Sequence, residues 1–164
     1  MLWRVNMKKV LPFIYTIIFI IIDQIVKFIC LERLKPVCSI KIIQDFFYLT
    51  YVENRGAAFG MLQGARWIFI IIALIAVIVC VFYYNRLPST KYLGIARLSL
   101  IFIISGAIGN MIDRAFRGYV IDMFHFIFWG KEFAVFNVAD ILVCVGTFLL
   151  AIVIIFSEET KKIK

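Results

Sequence analysis

The sequence predicts an all-α, polytopic membrane protein with four transmembrane helices and a small β-rich segment at the extracytoplasmic membrane surface. Apolar residues make up 64% of the 164 residues, and mean hydropathy is +1.01, whereas soluble domains are about 45–50% apolar. This composition excludes a soluble globular domain and a disordered chain. Four apolar runs are each close to the roughly 20 residues that a helix needs to cross a bilayer. One membrane-embedded domain, residues 1–164, is therefore expected.

The apolar runs predict helices over residues 10–31, 67–84, 92–112 and 136–156. The first is interpreted as a retained helix, because Asp23, Gln24 and Lys27 stand where a cleaved signal peptide would carry small residues. The two long connections, residues 35–66 and 113–135, are predicted to lie outside the membrane on one side.

The two long connections differ in composition. The first is rich in β-branched and aromatic residues from Ser39 to Val52, which favours short strands at the membrane surface. The second contains Phe124, Phe126, Phe128 and Trp129. Aromatic residues of this kind are typical of the belt at a membrane interface.

Both termini are predicted to be cytoplasmic. Nine lysines and arginines then lie inside and eight outside, but the inside charges occupy much shorter segments, which the positive-inside rule favours. The net charge of +8 follows this distribution, and without dense basic clusters beside exposed aromatics it does not predict nucleic-acid binding. The four cysteines and the single histidine form no metal-ligand pattern, so no metal or other cofactor is expected. A Cys30–Cys38 disulfide remains open.

Unusual polar residues converge on one side of the bilayer. Ionisable groups in membrane helices are costly and mark functional sites by default. Because adjacent helices run antiparallel, residues late in helices one and three and early in helix four lie at the same membrane boundary, as do the two long connections. The residues concerned are Asp23, Lys27, Asn54, Asn110, Asp113, Asp122 and Asp140.

Several of these residues have a plain structural interpretation. Asp23 and Lys27 are four apart on one helical face, which predicts a buried ion pair. Asn54 and Asn110 fit inter-helix hydrogen bonding and substrate contact equally well. The small residues from Gly56 to Gly60 favour close backbone packing.

Asp122 and Asp140 have no basic neighbour in the local sequence. Two carboxyls at one membrane boundary can share a proton, because like charges held close cannot both ionise. One is then a base and the other an acid, as the attack of water on a peptide carbonyl requires. The alternatives are a proton- or cation-binding site in a small proton-coupled transporter and a lipid-binding scaffold without chemistry.

Five segments in order resemble the lipoprotein signal peptidases, also called signal peptidase II. They are Asp23-Gln-Ile-Val-Lys27, Val52-Glu-Asn-Arg-Gly-Ala-Ala-Phe-Gly60, Ser105-Gly-Ala-Ile-Gly-Asn-Met-Ile-Asp-Arg114, Val120-Ile-Asp122 and Phe136-Asn-Val-Ala-Asp140. The resemblance covers nearly the whole chain. Ser105 departs from the family pattern, which usually has Gly in a Gly-Gly pair.

The resemblance implies an intramembrane aspartic endopeptidase of the bacterial cytoplasmic membrane, with its active site near the extracytoplasmic face. It would cut prolipoproteins just before the diacylglyceryl-modified Cys, act as a monomer among membrane lipids without a cofactor, and be inhibited by the cyclic peptide globomycin. The catalytic pair would be Asp122 and Asp140. The implied substrate-binding residues are Asn54, Gly56, Asn110, Arg114 and Asn137, and the supporting residues are Asp23, Lys27 and Asp113, with Arg114 as the expected partner of Asp113.

Overall fold

Four long helices dominate the computed structural model, which describes residues 7–56, 61–88 and 93–156, with side chains from residue 10 onward. The helices are α1 (Met7–Ile29), α2 (Arg66–Arg86), α3 (Leu93–Phe116) and α4 (Val138–Phe156). Each is long and apolar enough to cross a membrane. The predicted four-helix, multi-pass architecture is therefore confirmed.

The helix ends differ from the predictions at functionally relevant places. Regular α geometry in α1 stops at Ile29, and the chain continues as a π-helical turn, Cys30–Leu34, and a 3-10 turn, Lys35–Val37. The prediction that the third helix ends at residue 112 is wrong, because α3 runs on until Gly118 caps it. Gly118 has φ +84° and donates its N–H to the Asp113 carbonyl, a C-terminal geometry that glycine favours. Asp113 and Arg114 are thus helical.

The other predicted boundaries lie close to the observed ones. The fourth helix starts at Val138 rather than at residue 136. The predicted start of the third helix at residue 92 lies outside the described residues. α2 begins and ends within about two residues of its prediction.

Helix α3 is the centre of the bundle and packs against α1, α2 and α4. Its contact with α4 is close enough to require glycine. A Cβ at Gly106 would lie 2.3 Å from the Ala139 carbonyl oxygen, and one at Gly146 would lie 2.7 Å from the Ser99 carbonyl oxygen. Such small residues let membrane helices approach closely, and here they fix the start of α4 against α3.

A four-stranded antiparallel sheet lies beside the helical bundle. Its strands are β1 (Ser39–Ile43), β2 (Phe47–Asn54), β3 (Val120–Phe128) and β4 (Lys131–Glu132), and they lie in the order β1-β2-β3-β4. The predicted strands of the first long connection are confirmed. The second long connection, residues 113–135, was expected only to supply interfacial aromatics, and it instead contributes the longest strand of the sheet.

A β-bulge interrupts the pairing of β2 with β3. Leu49 pairs with Phe124 and Val52 pairs with Asp122, so β2 carries one extra residue over this interval. Beyond the bulge Asn54 pairs with Val120. Because side chains alternate along a strand, this register puts Asn54 on the same face of the sheet as Asp122.

The opposite face of β3 packs on the end of the first helix. Ile121 and Met123 are buried against Cys30 and Leu34 of the π-helical turn. Asp122 lies between these two apolar residues and therefore points the other way. Cys30 and Cys38 are free thiols, so the disulfide left open by the sequence does not form.

Candidate active site

The two predicted catalytic aspartates lie on separate elements, the β3 strand and the first turn of α4. Asp122 is 1% exposed and Asp140 is half-buried. In the described parts of the chain, no lysine, arginine or histidine forms an ion pair with either carboxylate. Side-chain amides and backbone N–H groups hold both carboxylates instead.

Asn137 and Asp140 form a reciprocal cap at the start of α4. The Asp140 N–H donates to Asn137 Oδ1 at 3.0 Å, and the Asn137 N–H donates to Asp140 Oδ2 at 3.1 Å. This is a capping box, with Asn as the N-cap and a carboxylate three residues later. The same bonds that start the helix therefore orient Asp140, where the helix dipole favours negative charge.

The Asn137 side chain also links the two aspartates. Its Nδ2 donates to Asp122 Oδ1 at 2.6 Å and to Asn110 Oδ1 at 3.2 Å. Asn110 in turn donates its Nδ2 to Asp140 Oδ1 at 2.7 Å. The second oxygen of Asp122, Oδ2, accepts Asn54 Nδ2 at 2.9 Å. Three of the predicted asparagines thus converge on the aspartate pair.

The remaining predicted binding residues form the wall beside Asn54. Asn54 Oδ1 accepts the Gly56 N–H at 2.9 Å, and Arg114 donates from Nη2 to the Gly56 carbonyl oxygen at 3.0 Å. A Cβ at Gly56 would lie 2.3 Å from the Met61 carbonyl oxygen, so this position requires glycine. The guanidinium of Arg114 also lies over the Phe69 ring, 4.8 Å from its centroid. Residues 57–60 of the predicted small-residue patch lie outside the described residues.

The supporting residues form a fully buried ionic cluster behind the aspartate pair. The predicted pairing of Lys27 with Asp23 is present at 2.9 Å, and Lys27 also pairs with Asp113 at 3.0 Å. The expected pairing of Asp113 with Arg114 is wrong. Asp113 pairs with Arg117 instead, because residues four apart on a helix lie on one face whereas neighbours do not.

Two members of this cluster, Gln24 and Arg117, were not predicted as site residues. Gln24 donates to Asp23 Oδ2 and Asp113 Oδ1, and its own Oε1 accepts Arg117 Nη1 at 3.2 Å. The spacing of four between Asp113 and Arg117 is the sequence signal that could have identified this pair. Ser105, the departure from the family pattern, is buried and donates its hydroxyl to the Ile101 carbonyl at 2.7 Å, so the helix itself satisfies it.

The environment of Asp122 moves its titration into the neutral pH range. Burial raises its pKa, and the negative charge of Asp140 raises it further. Hydrogen bonds from Asn54 and Asn137 act in the opposite direction, as does the positive charge of Lys27. The balance of these effects puts the pKa of Asp122 at about 7.

A pocket of about 240 Å³ gives access to the Asp122 side of the pair. Its lining comes from the end of β2, from the loop before α2 and from the segment before α4. The lining residues are Val52, Glu53, Asn54, Arg55, Gln63, Asp122, Ala134 and Val135. One buried carboxyl lining a pocket, with a second linked to it through Asn137, is suited to acid–base chemistry.

Comparison with known proteins decides the family. The model of the family described as signal peptidase (SPase) II matches residues 15–156. The chain belongs to the signal peptidase II family. A lipoprotein signal peptidase of Clostridioides difficile (strain 630) is 48% identical over 147 residues, covering 89% of this chain and 95% of that protein. One of Bacillus pumilus (strain SAFR-032) is 39% identical over 153 residues, covering 92% and 97%.

Solved structures agree with this membership. A structure described as a bacterial membrane enzyme, at 2.3 Å resolution, matches with a TM-score of 0.78 and 30% identity, covering 88% of this chain and 87% of that one. A second, at 1.9 Å, matches with a TM-score of 0.76 and 29% identity, covering 89% and 93%. Membership of the signal peptidase II family makes this chain a peptidase and leaves the transporter alternative without support.

Proposed function

We propose that this chain removes signal peptides from diacylglyceryl-modified prolipoproteins by cutting just before the lipidated Cys, with Asp122 and Asp140 as the catalytic pair. One observation carries the proposal: Asn137 donates to Asp122 and forms the reciprocal helix cap with Asp140, so a single residue ties together two carboxyls that have no paired cation in the described residues. Asn54, Gly56, Asn110, Arg114 and Asn137 are proposed to hold the substrate.

The proposed reaction uses the two carboxyls in opposite protonation states. Asp140 is the base, because it sits in the first turn of α4 and accepts the Asn110 amide and the Asn137 N–H. Asp122 carries the proton, consistent with its pKa of about 7. Asp140 takes a proton from water while Asp122 donates its proton to the scissile carbonyl oxygen, which gives a tetrahedral gem-diol. Asp140 then protonates the leaving amine, and Asp122 recovers a proton from the gem-diol as it collapses.

Substrate is proposed to enter sideways from the bilayer, so that its acyl chains remain in lipid while the peptide reaches the aspartates. The outer surface of α2 supports this route, because its side chains are almost all apolar and exposed, including Trp67 and Ile68 at the end nearest the pocket. Asp122 lines the pocket, as does Gln63, which lies three residues before the start of α2.

The proposed location is the bacterial cytoplasmic membrane, with both termini in the cytoplasm and the active site near the extracytoplasmic surface. A translocated precursor presents its lipidated Cys on that side. Single cysteines at Lys131 and Pro88, in a chain whose own four cysteines are replaced, test the orientation. Both positions are exposed. Lys131→Cys is expected to react with a membrane-impermeant thiol reagent in intact spheroplasts, and Pro88→Cys only after the membrane is opened. The reverse pattern would contradict the proposed side.

The decisive experiment is cleavage of a diacylglyceryl-prolipoprotein by the purified protein. We expect a product whose first residue is the lipidated Cys, and no cleavage of the same precursor without its lipid. Globomycin is expected to block the reaction, and the active species in mild detergent is expected to be the monomer. Equal cleavage of the lipidated and unlipidated precursors would refute the proposed substrate class.

A further inference from the structure

Lys27 lies between two buried carboxylates that belong to different helices. Its Nζ is 2.9 Å from Asp23 Oδ2 on α1 and 3.0 Å from Asp113 Oδ2 on α3, and all three side chains are fully buried. Moving a charged side chain from water into the protein interior is costly, and buried charges are stable only where each one is paired and hydrogen-bonded. Here the pairing joins two helices through one ammonium group.

Each of these carboxylates also accepts a backbone N–H immediately before a proposed catalytic aspartate. Asp23 Oδ1 accepts the Ala139 N–H at 2.9 Å, one residue before Asp140. Asp113 Oδ2 accepts the Ile121 N–H at 3.2 Å, one residue before Asp122. The two contacts are equivalent in kind, although one reaches the start of a helix and the other reaches a strand.

We propose that Asp23, Lys27 and Asp113 form a spacer that sets the distance between the Asp122 and Asp140 carboxyls, with Lys27 as its central positioning residue. This inference rests on the proposed function. The spacer acts on backbone atoms, so it fixes the chain at both aspartates and leaves their side chains free to react. Its members do not touch the reacting atoms.

The contacts of Asn110 support the same role for Lys27. Lys27 Nζ donates to Asn110 Oδ1 at 3.0 Å, which leaves the Asn110 amide nitrogen to face Asp140 at 2.7 Å. Loss of the ammonium would remove the charged donor that holds the amide in this orientation. Lys27 therefore controls both the backbone before Asp140 and a side-chain donor to its carboxylate.

Together with Arg117 the spacer is charge-balanced, so we assign it a geometric task. Asp23 and Asp113 carry two negative charges, and Lys27 with Arg117 supplies two positive ones. In the described chain, the charged groups that interact with the aspartate pair are Lys27 from α1 and Arg114 from α3. The interaction between two carboxyls that share a proton depends steeply on the distance between them. A misplacement of about 1 Å can lower an enzymatic rate about 10²-fold.

The test uses a variant that removes the Lys27 bridge between α1 and α3 without leaving an unpaired charge. Lys27→Met alone would leave a buried carboxylate without its partner, which threatens folding. The double variant Asp23→Asn with Lys27→Met keeps the charge balance, and Asn at position 23 retains an oxygen for the Ala139 N–H. Lys35→Met is the matched control, since it breaks a lysine–carboxylate pair of the same 3.0 Å length that is solvent-exposed.

For the double variant we expect kcat to fall about 10²-fold and KM to change less than about threefold. Lys35→Met is expected to stay within about twofold of the natural chain in both constants. A merely structural loss would lower the folded fraction, and would leave the constants of the folded enzyme unchanged.

A second measurement does not depend on cleavage. Aspartate labelled with ¹³C at the side-chain carboxyl lets the pair be titrated by NMR in micelles, with Asp122→Asn and Asp140→Asn to assign the signals. We expect the interval between the two apparent pKa values of the pair to narrow in the double variant, because two like charges that move apart interact less. An unchanged interval would overturn the spacer whether or not the protein cleaves its substrate. Absence of cleavage in the natural chain would overturn the proposed function alone.

Discussion

Replacement of Asn137 separates the two tasks that this residue performs, starting α4 and joining the aspartates. Asn137→Ala removes the N-cap, which costs about 1 kcal/mol. It also removes the 2.6 Å bond to the buried Asp122, and an unsatisfied buried acceptor costs about 1–3 kcal/mol. Together these effects lower the free energy of unfolding by about 3 kcal/mol. For a chain of this size that corresponds to a fall in Tm of about 6–12 °C.

Asn137→Ser is the matched variant, because serine is an N-cap as good as asparagine but is too short to reach Asp122 from the same backbone. We expect it to regain about 1 kcal/mol relative to Asn137→Ala, or about 2–4 °C in Tm. Its cleavage rate is expected to stay as low as that of Asn137→Ala, about 10²-fold below the natural chain.

Two measurements check this expectation, thermal unfolding in detergent and steady-state cleavage of a lipidated precursor. Tm should depend on whether residue 137 can cap α4, and the cleavage rate should depend on whether it can also reach Asp122. If Asn137→Ser restored the cleavage rate together with Tm, the link would have no catalytic role. A natural rate in Asn137→Ala would refute the argument altogether.

Three further predictions concern the aspartate pair and its surroundings. Asp122→Asn and Asp140→Asn should each abolish cleavage while Tm stays close to that of the natural chain. Asp45→Asn, in the exposed β1–β2 turn, is the control and should leave the cleavage rate unchanged. Appreciable turnover by Asp122→Asn or Asp140→Asn would exclude these two residues as the catalytic pair. Because burial and Asp140 raise the pKa of Asp122 to about 7, kcat/KM should fall about tenfold per pH unit above that value, where both carboxyls are ionised and no acid remains. Asn54→Ala should move this limb to higher pH, since the Asn54 hydrogen bond lowers the pKa of Asp122; a shift to lower pH would contradict the assignment. Arg114→Lys should weaken globomycin binding about tenfold with little change in Tm, since lysine keeps the charge but loses the planar donors; unchanged affinity would make Arg114 purely structural.

The helical part of the fold was predictable because the bilayer imposes it. A chain with 64% apolar residues in runs of about 20 has few ways other than helices to satisfy its backbone hydrogen bonds inside a bilayer. The end of α3 was not predictable from hydropathy. Asp113 and Arg114 resemble the polar end of a span, yet Asp113 stays helical because Lys27 and Arg117 neutralise it. Only the tertiary structure supplies those partners.

The strand β3 was missed although its sequence carries a signal. Phe124, Phe126 and Phe128 alternate with other residues, as on one face of a strand. Their enrichment in aromatics equally fits an interfacial belt, and composition alone cannot separate the two. In the structure Phe126 stacks on Phe47 of β2, with ring centroids 4.6 Å apart, a cross-strand pair that depends on contacts distant in sequence.

The aspartate pair could be identified from sequence, and the way it is held could not. Asp122 and Asp140 stood out because no nearby charge explained them. The shared role of Asn137 required the positions of a strand and a helix start that are separated by the β4 segment. The local pattern Asn-Val-Ala-Asp does encode the cap, but no local pattern says that the same amide reaches Asp122.

The bulge in β2 makes chain length at this point as important as residue identity. Between Leu49 and Val52 the strand has one residue more than its partner. Regular pairing of the same residues through this interval, without the bulge, would shift the strand by one position, so that Glu53 replaced Asn54 on the face of Asp122. A third carboxylate would then stand beside the pair, and a hydrogen-bond donor would be lost. Natural variation in this family should therefore avoid insertion of a residue between Leu49 and Val52, because a longer interval would move Asn54 away from Asp122.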